Sequence, residues 1–174
     1  LIALRAFLKY LARQEIKTLP AERIELAKTS ERSLDLITPV ELKRLLNSPN
    51  GNELKDLRDK AILELLFSTG LRVSELCSLT SDIDLRSDEL SIRGKGGKVR
   101  VVFISEDAKK YVRDYLKVRK DMSDALFVQI GKETEKNKSV TPLTPRSIQR
   151  IIKQHAIKSG ISKKVTPHVM RHMF

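Results

Sequence analysis

A histidine and an arginine near the end of the chain share one predicted helical face. His168 and Arg171 stand three residues apart, behind Thr166 and Pro167, a pair that is typical of a helix start. Residues at this spacing are neighbours on a helix surface. A guanidinium can hold two phosphate oxygens while an imidazole gives or takes a proton. The pair therefore indicates phosphate chemistry with proton transfer. A structural role at the protein surface is the alternative.

A second arginine, Arg72, lies far upstream in the segment TGLRVSEL, residues 69–76. The pattern predicts a helix over 53–69 that ends at Gly70, a residue suited to a left-handed cap. An arginine fixed at such a junction can bind two phosphate oxygens, which a flexible lysine does less well. The alternative is an ion pair between Arg72 and Glu75 that holds the loop.

Lys95 lies in the segment GKGGK, residues 94–98, between two predicted strands at 90–93 and 99–104. Glycines there favour a hairpin turn and permit close approach of a ligand. The ammonium group can contact a phosphate or give a proton to a leaving oxygen. A hairpin tip that lysines keep soluble is the alternative. The segment fits neither a dinucleotide fingerprint nor a Walker loop.

Other candidate chemistry is weaker. His172 lies one turn after His168, but no third ligand is evident, so no metal site is predicted. No serine, threonine or cysteine has a hydrolase setting, and Cys77 is predicted to lie in the core. The three tyrosines, Tyr10, Tyr111 and Tyr115, are predicted to pack inward.

The hydrophobic pattern predicts a mainly helical α+β domain with one small antiparallel sheet. The predicted helices cover residues 1–17, 38–48, 53–69, a short segment from 74, 105–120, 144–159 and a last segment from 166. Residues 18–37 have no sustained period and are predicted to form a linker. Residues 131–141 are predicted to form a polar loop.

Charge is unevenly distributed along the chain. The net charge is +12, and residues 136–174 contain nine lysines and arginines but no acidic residue. A region of one sign inside an otherwise balanced protein favours a polyanionic partner such as double-stranded DNA. A solvated basic face without a partner is the alternative, and a membrane surface is disfavoured because no apolar insertion face accompanies the charges. One cysteine and no apolar run of about 20 residues fit a cytoplasmic protein.

Four segments in this order resemble the tyrosine recombinases, or phage-integrase family, and most closely the Xer-like branch. They are residues 69–76, 94–100, 143–145 and 166–174. The resemblance implies a catalytic domain over 38–174 that is incomplete at its C-terminus. It also implies that residues 1–17 are the last helix of an N-terminal core-binding domain, with 18–37 as the linker.

The resemblance assigns four catalytic positions. Arg72 and Arg171 hold the non-bridging oxygens of the scissile phosphate. Lys95 is the general acid for the leaving 5′ oxygen, and His168 assists proton transfer. Phosphoryl transfer needs this kind of fixed positive charge and positioning.

The same resemblance implies that Glu75 orients the cluster around the first arginine. His172 is expected to be a supporting residue, through packing or an outer-shell hydrogen bond. Further contacts with DNA are expected from five basic residues: Lys98, Arg100, Arg146, Arg150 and Lys153. Met173 stands where the family usually has a small hydroxyl residue.

The implied function is site-specific DNA recombination through a 3′-phosphotyrosyl intermediate, with no metal or nucleotide cofactor. No residue of the chain matches the family's tyrosine nucleophile, so this stretch alone is expected to bind DNA as an inactive monomer. The full-length protein is expected to form a tetramer on paired sites. A non-catalytic DNA-binding regulator and a type IB topoisomerase-like enzyme are the alternatives.

Overall fold

The computed structural model describes residues 1–27, 36–94, 97–131 and 140–173. The chain divides into two compact units, Leu1–Leu34 and Asp35–Phe174. In the first unit, helix α1 spans Ile2–Arg13 and a single 3₁₀ turn spans Ala21–Arg23. The inward packing predicted for Tyr10 is wrong, because 57% of its surface is exposed.

The second unit is mainly helical and contains one two-stranded sheet, as the sequence pattern predicts. Its elements in chain order are α2 Pro39–Leu46, α3 Leu54–Thr69, α4 Val73–Cys77, β1 Glu89–Arg93, β2 Val99–Phe103, α5 Glu106–Val118, α6 Pro145–Lys158 and α7 Pro167–His172. The fold is therefore α+β, with the sheet inserted between α4 and α5.

Local sequence signals set the helix ends. The Thr38 hydroxyl accepts from the Glu41 amide at 3.2 Å, and the Glu41 carboxylate accepts from the Thr38 amide at 2.6 Å, which completes a capping box. The Thr144 hydroxyl accepts from the Ser147 amide and the Thr166 hydroxyl from the Val169 amide, and these bonds cap α6 and α7. Gly70 ends α3 with φ 55° and ψ 29°, the left-handed conformation that glycine adopts without strain.

The core forms around α3, which packs chiefly against α5. Ala61, Ile62, Leu65 and Leu66 are fully buried, as predicted. From α5, the buried Tyr115 ring stacks on Phe127 with centroids 5.8 Å apart. Because α3 is buried on nearly all sides, its neighbours hold both of its ends in place. Its C-terminal end leads directly into the segment that carries Arg72.

A polar network is buried between α3 and α6. His155 Nε2 lies 3.2 Å from Asp59 Oδ2, and His155 Nδ1 lies 2.8 Å from the Ser48 hydroxyl. Asp59 Oδ1 accepts from Arg58 Nε at 2.9 Å and Nη2 at 2.7 Å, while Arg58 Nη1 donates to the Val128 carbonyl. These bonds satisfy the buried charges and fix α6 against α3.

The hairpin is antiparallel, and its register pairs Leu90 with Val102 and Ile92 with Arg100. Leu90 and Ile92 are buried, so their partners on β2 face the same way. The opposite face of β2 is exposed, and it carries Val99, Val101 and Phe103. The register therefore directs the Arg100 side chain toward the body of the unit.

Candidate active site

A cleft of about 480 Å³ brings together three of the four predicted catalytic residues. It is lined by Arg72 at the α3–α4 junction and by His168 and Arg171 on α7. Gln149 of α6 also lines it. Arg72 and Arg171 are separated by nearly a hundred residues in sequence, and the packing of α7 against α3 accounts for their shared cleft.

Arg72 is held in place by hydrogen bonds to Glu75. Its amide donates to Glu75 Oε2 at 2.8 Å, and its Nη1 donates to Oε1 at 3.1 Å. The Arg72 side chain is nonetheless 60% exposed, whereas that of Glu75 is only 5% exposed. The ion pair that sequence analysis offered as an alternative is therefore present, and it coexists with a guanidinium that lines the cleft.

Arg100 supplies a second guanidinium to the same carboxylate. Its Nη1 lies 2.6 Å from Glu75 Oε1, and its Nη2 lies 2.7 Å from Oε2. These bonds, followed by those from Arg72, lower the pKa of Glu75 from 4.5 to about 2. The carboxylate in turn raises the pKa of Arg100. Glu75 is thus a fixed anion between two arginines, one of which lines the cleft.

Arg171 reaches the cleft from α7 and is half-buried. Its Nη1 is buried and has no hydrogen-bond partner in the part of the chain that the structure describes. Buried guanidinium nitrogens are normally paired. Arg171 lines the same cleft as Arg72, so the two side chains are suited to an anionic ligand, and phosphate oxygens match the geometry of a guanidinium.

His168 and His172 form a pair on the exposed side of α7. Their Nε2 atoms lie 2.9 Å apart, and the rings are nearly perpendicular at 86°. A hydrogen bond between two imidazole nitrogens requires one of them to donate and the other to accept. One of the two Nε2 atoms therefore donates to the other, and Nδ1 is the ring nitrogen of His168 left for another partner.

The remaining predicted positions differ in what the structure shows. Lys95 lies outside the described residues. Lys98 is exposed and directly precedes β2. Arg146, Arg150 and Lys153 are all exposed on α6, and spacings of four and three residues place them on one face. The five predicted DNA contacts thus include three side chains that form one basic stripe.

Two features of the cleft were missed by sequence reasoning. The bidentate bond between Arg100 and Glu75 depends on the hairpin register, although alternation from Leu90 and Ile92 could have indicated that Arg100 faces inward. Gln149 is an exposed residue between the buried Ile148 and the exposed Arg150, and it carries no motif, so its place in the cleft had no sequence signal.

Cys77 is partly buried against the core, and burial raises the pKa of its thiol to about 11. This environment suits a packing residue and not a nucleophile. Within residues 1–27, 36–94, 97–131 and 140–173, no group of three histidine, cysteine or acidic side chains could hold a metal ion. No helix in this described part is both long and apolar enough to cross a membrane.

Comparison with known proteins identifies the family to which this fold and cleft belong. Residues 35–174 match the model of the phage integrase family. The chain belongs to this family.

Similar curated proteins are Xer tyrosine recombinases. Tyrosine recombinase XerD of Halalkalibacterium halodurans is 37% identical over 180 residues, which cover 99% of this chain and 58% of the relative. Tyrosine recombinase XerC of Myxococcus xanthus is 37% identical over 187 residues, which cover 100% of this chain and 59% of the relative. The chain therefore spans less than two thirds of the length of these relatives.

Solved structures show the same fold. The crystal structure of XerA recombinase is 32% identical, with a TM-score of 0.69, and the match covers 99% of this chain and 58% of that one. The XerH site-specific recombinase, bound to its palindromic difH substrate, matches with a TM-score of 0.68 at 19% identity, over 99% of this chain and 53% of that one. The resemblance to the tyrosine recombinase family and the predicted fold class are confirmed.

Proposed function

We propose that this chain forms most of the catalytic domain of a site-specific DNA recombinase. The observation that carries the proposal is the cleft that Arg72, His168 and Arg171 line together. Family membership supports it, and so does the structural likeness to the XerH site-specific recombinase, which is bound to a palindromic difH substrate. Double-stranded DNA is the proposed substrate, and the proposed compartment is the cytoplasm.

In the proposed reaction, a tyrosine oxygen attacks the scissile phosphorus and forms a 3′-phosphotyrosyl bond. The 5′ oxygen leaves with a proton from Lys95. Arg72 and Arg171 hold the non-bridging oxygens as charge develops on them, and His168 moves the tyrosine proton. The reverse steps rejoin the exchanged strands. Neither a metal nor a nucleotide is needed.

Because the chain spans less than two thirds of its Xer relatives, we propose that the nucleophile lies outside these 174 residues. Tyr115 is fully buried beside Phe127, and Tyr111 packs against the core. Neither these residues nor Tyr10 lines the cleft. We propose that residues 1–17 end a core-binding domain, that residues 18–37 link it to the catalytic domain, and that the full-length protein forms a tetramer on paired sites. The 174-residue stretch alone is expected to be a monomer in sedimentation experiments.

A nicked suicide substrate tests the proposal. The full-length protein should become covalently linked to the DNA, and Arg171→Ala should abolish the adduct while largely retaining binding. DNA binding without an adduct in the wild-type protein would indicate a non-catalytic regulator. Relaxation of plasmid DNA that lacks a defined site would indicate a type IB topoisomerase.

A further inference from the structure

The Arg100 side chain is paired with Glu75 beside the cleft, and the proposed reaction gives it no role. It lies on β2, and its guanidinium makes two parallel bonds of 2.6 and 2.7 Å to Glu75. It does not line the cleft itself. A paired guanidinium set back from the cleft is poorly placed to bind a DNA phosphate at the same time.

The four bonds on Glu75 form a continuous chain of contacts toward the cleft. Oε1 accepts from both Arg100 and the Arg72 side chain, while Oε2 accepts from Arg100 and the Arg72 amide. Arg100 is bidentate, so the orientation of its planar guanidinium fixes the plane of the carboxylate. The carboxylate plane in turn fixes the backbone amide and the guanidinium of Arg72, which both donate to Glu75.

The surroundings leave this bridge little freedom. Glu75 is 95% buried, and a side chain at Gly94 would begin 3.5 Å from Arg100 Nη1 and 3.6 Å from Glu75 Oε1. The Gly94 amide donates to the Lys98 carbonyl at 2.8 Å, which closes the end of the hairpin beside the bridge. The β1–β2 register then holds Arg100 opposite Ile92.

We propose that Arg100 is a positioning residue, which acts on the scissile phosphate through Glu75 and Arg72 and makes no phosphate contact of its own. The role deepens the proposed function and rests on it. It replaces the direct DNA contact expected for Arg100 from the sequence. It also connects the hairpin to the cleft through Arg100, Glu75 and Arg72.

Two single variants of the full-length protein separate positioning from DNA contact. Arg100→Gln removes the bidentate bond, and Arg150→Gln removes an exposed cation from α6. For Arg100→Gln, we expect adduct formation at saturating DNA to slow by up to about a hundredfold, the loss typical of misplaced catalytic groups. The slope of log affinity against log salt should match the wild type. For Arg150→Gln, the slope should fall by about one.

A double-mutant cycle with Arg72→Gln tests whether Arg100 acts through Arg72. The free-energy loss in the double variant should be far smaller than the sum of the losses in the two single variants. This should hold both for DNA affinity and for the rate of adduct formation. A general loss of stability would not produce this coupling when every variant is measured well below its melting temperature. Arg100→Lys, which keeps one charged bond to Glu75, should recover part of the rate.

The outcomes are distinct. Additive losses, or a salt slope reduced by one with an unchanged rate at saturation, would overturn the positioning role of Arg100. Absence of any adduct with the wild-type protein would instead count against the proposed function. In that event the affinity cycle between Arg72 and Arg100 still decides whether the two arginines act as one unit.

Discussion

His172 is placed to orient the ring of His168. The 2.9 Å bond between their Nε2 atoms fixes which nitrogen of His168 remains available to the cleft. His172→Ala removes that bond and should slow adduct formation about tenfold, within the range of general acid–base contributions. His172→Gln places an amide near the position of Nε2 and should retain more activity. Measured rates at saturating DNA compare the two; equal losses would contradict a hydrogen-bonding role.

The ionisation of Glu75 predicts a pH-dependent stability. Its pKa is about 2 in the fold instead of 4.5, so its charge stabilises the folded state above about pH 4.5. This contribution is lost as the pH falls from 4.5 toward 2. The shift corresponds to on the order of 3 kcal/mol, of which about 2 kcal/mol should be lost by pH 3.

Urea unfolding of the wild type and Glu75→Gln checks this expectation. The stability difference between the two proteins should narrow by about 2 kcal/mol between pH 6 and pH 3. A difference that stays constant over this interval would show that the bridge does not depend on the charge of Glu75.

At the scale of elements, the buried network around His155 joins α6 to α3. His155 has one partner on each ring nitrogen, Ser48 and Asp59. His155→Ala leaves Asp59 with fewer partners in a buried site and should lower the free energy of unfolding by about 2 kcal/mol or more. Lys153→Ala, two residues away on the exposed face of α6, should change it by less than about 0.5 kcal/mol. Chemical unfolding of both variants provides the comparison.

The helices that carry the site were predictable because their ends are encoded locally. Thr38, Thr144 and Thr166 each cap the helix that follows, and Gly70 ends α3 as its sequence indicated. These signals depend on side-chain hydrogen bonds within three or four residues. The elements therefore follow from short-range chemistry.

Contacts between elements were less accessible from sequence. The bond between Arg100 and Glu75 requires the hairpin register, and register depends on turn geometry as well as on the strand pattern. The His155 network requires the packing of α6 on α3, which no local motif encodes. Tyr10 illustrates the same limit, because its helical spacing resembled a buried face while the residue is exposed in its unit.

At the scale of the whole molecule, the charge distribution anticipates where DNA should bind. The acid-free segment supplies α6 and α7, so the basic stripe of Arg146, Arg150 and Lys153 and the cleft residue Arg171 come from the same stretch of chain. Each phosphate contact contributes about 0.9 to the slope of log affinity against log salt. Replacing the three stripe residues with glutamine should lower that slope by between two and three.

A matched variant separates location from net charge. Lys110, Arg113 and Lys117 are also exposed on one helix, α5, which carries three acidic residues as well. Replacing these three with glutamine removes the same total charge but should leave the salt slope close to that of the wild type. Fluorescence anisotropy with a labelled duplex between 50 and 300 mM salt measures both. Equal slopes for the two triple variants would mean that DNA affinity depends on the overall charge of the protein. The α6 stripe would then not be the DNA-binding face.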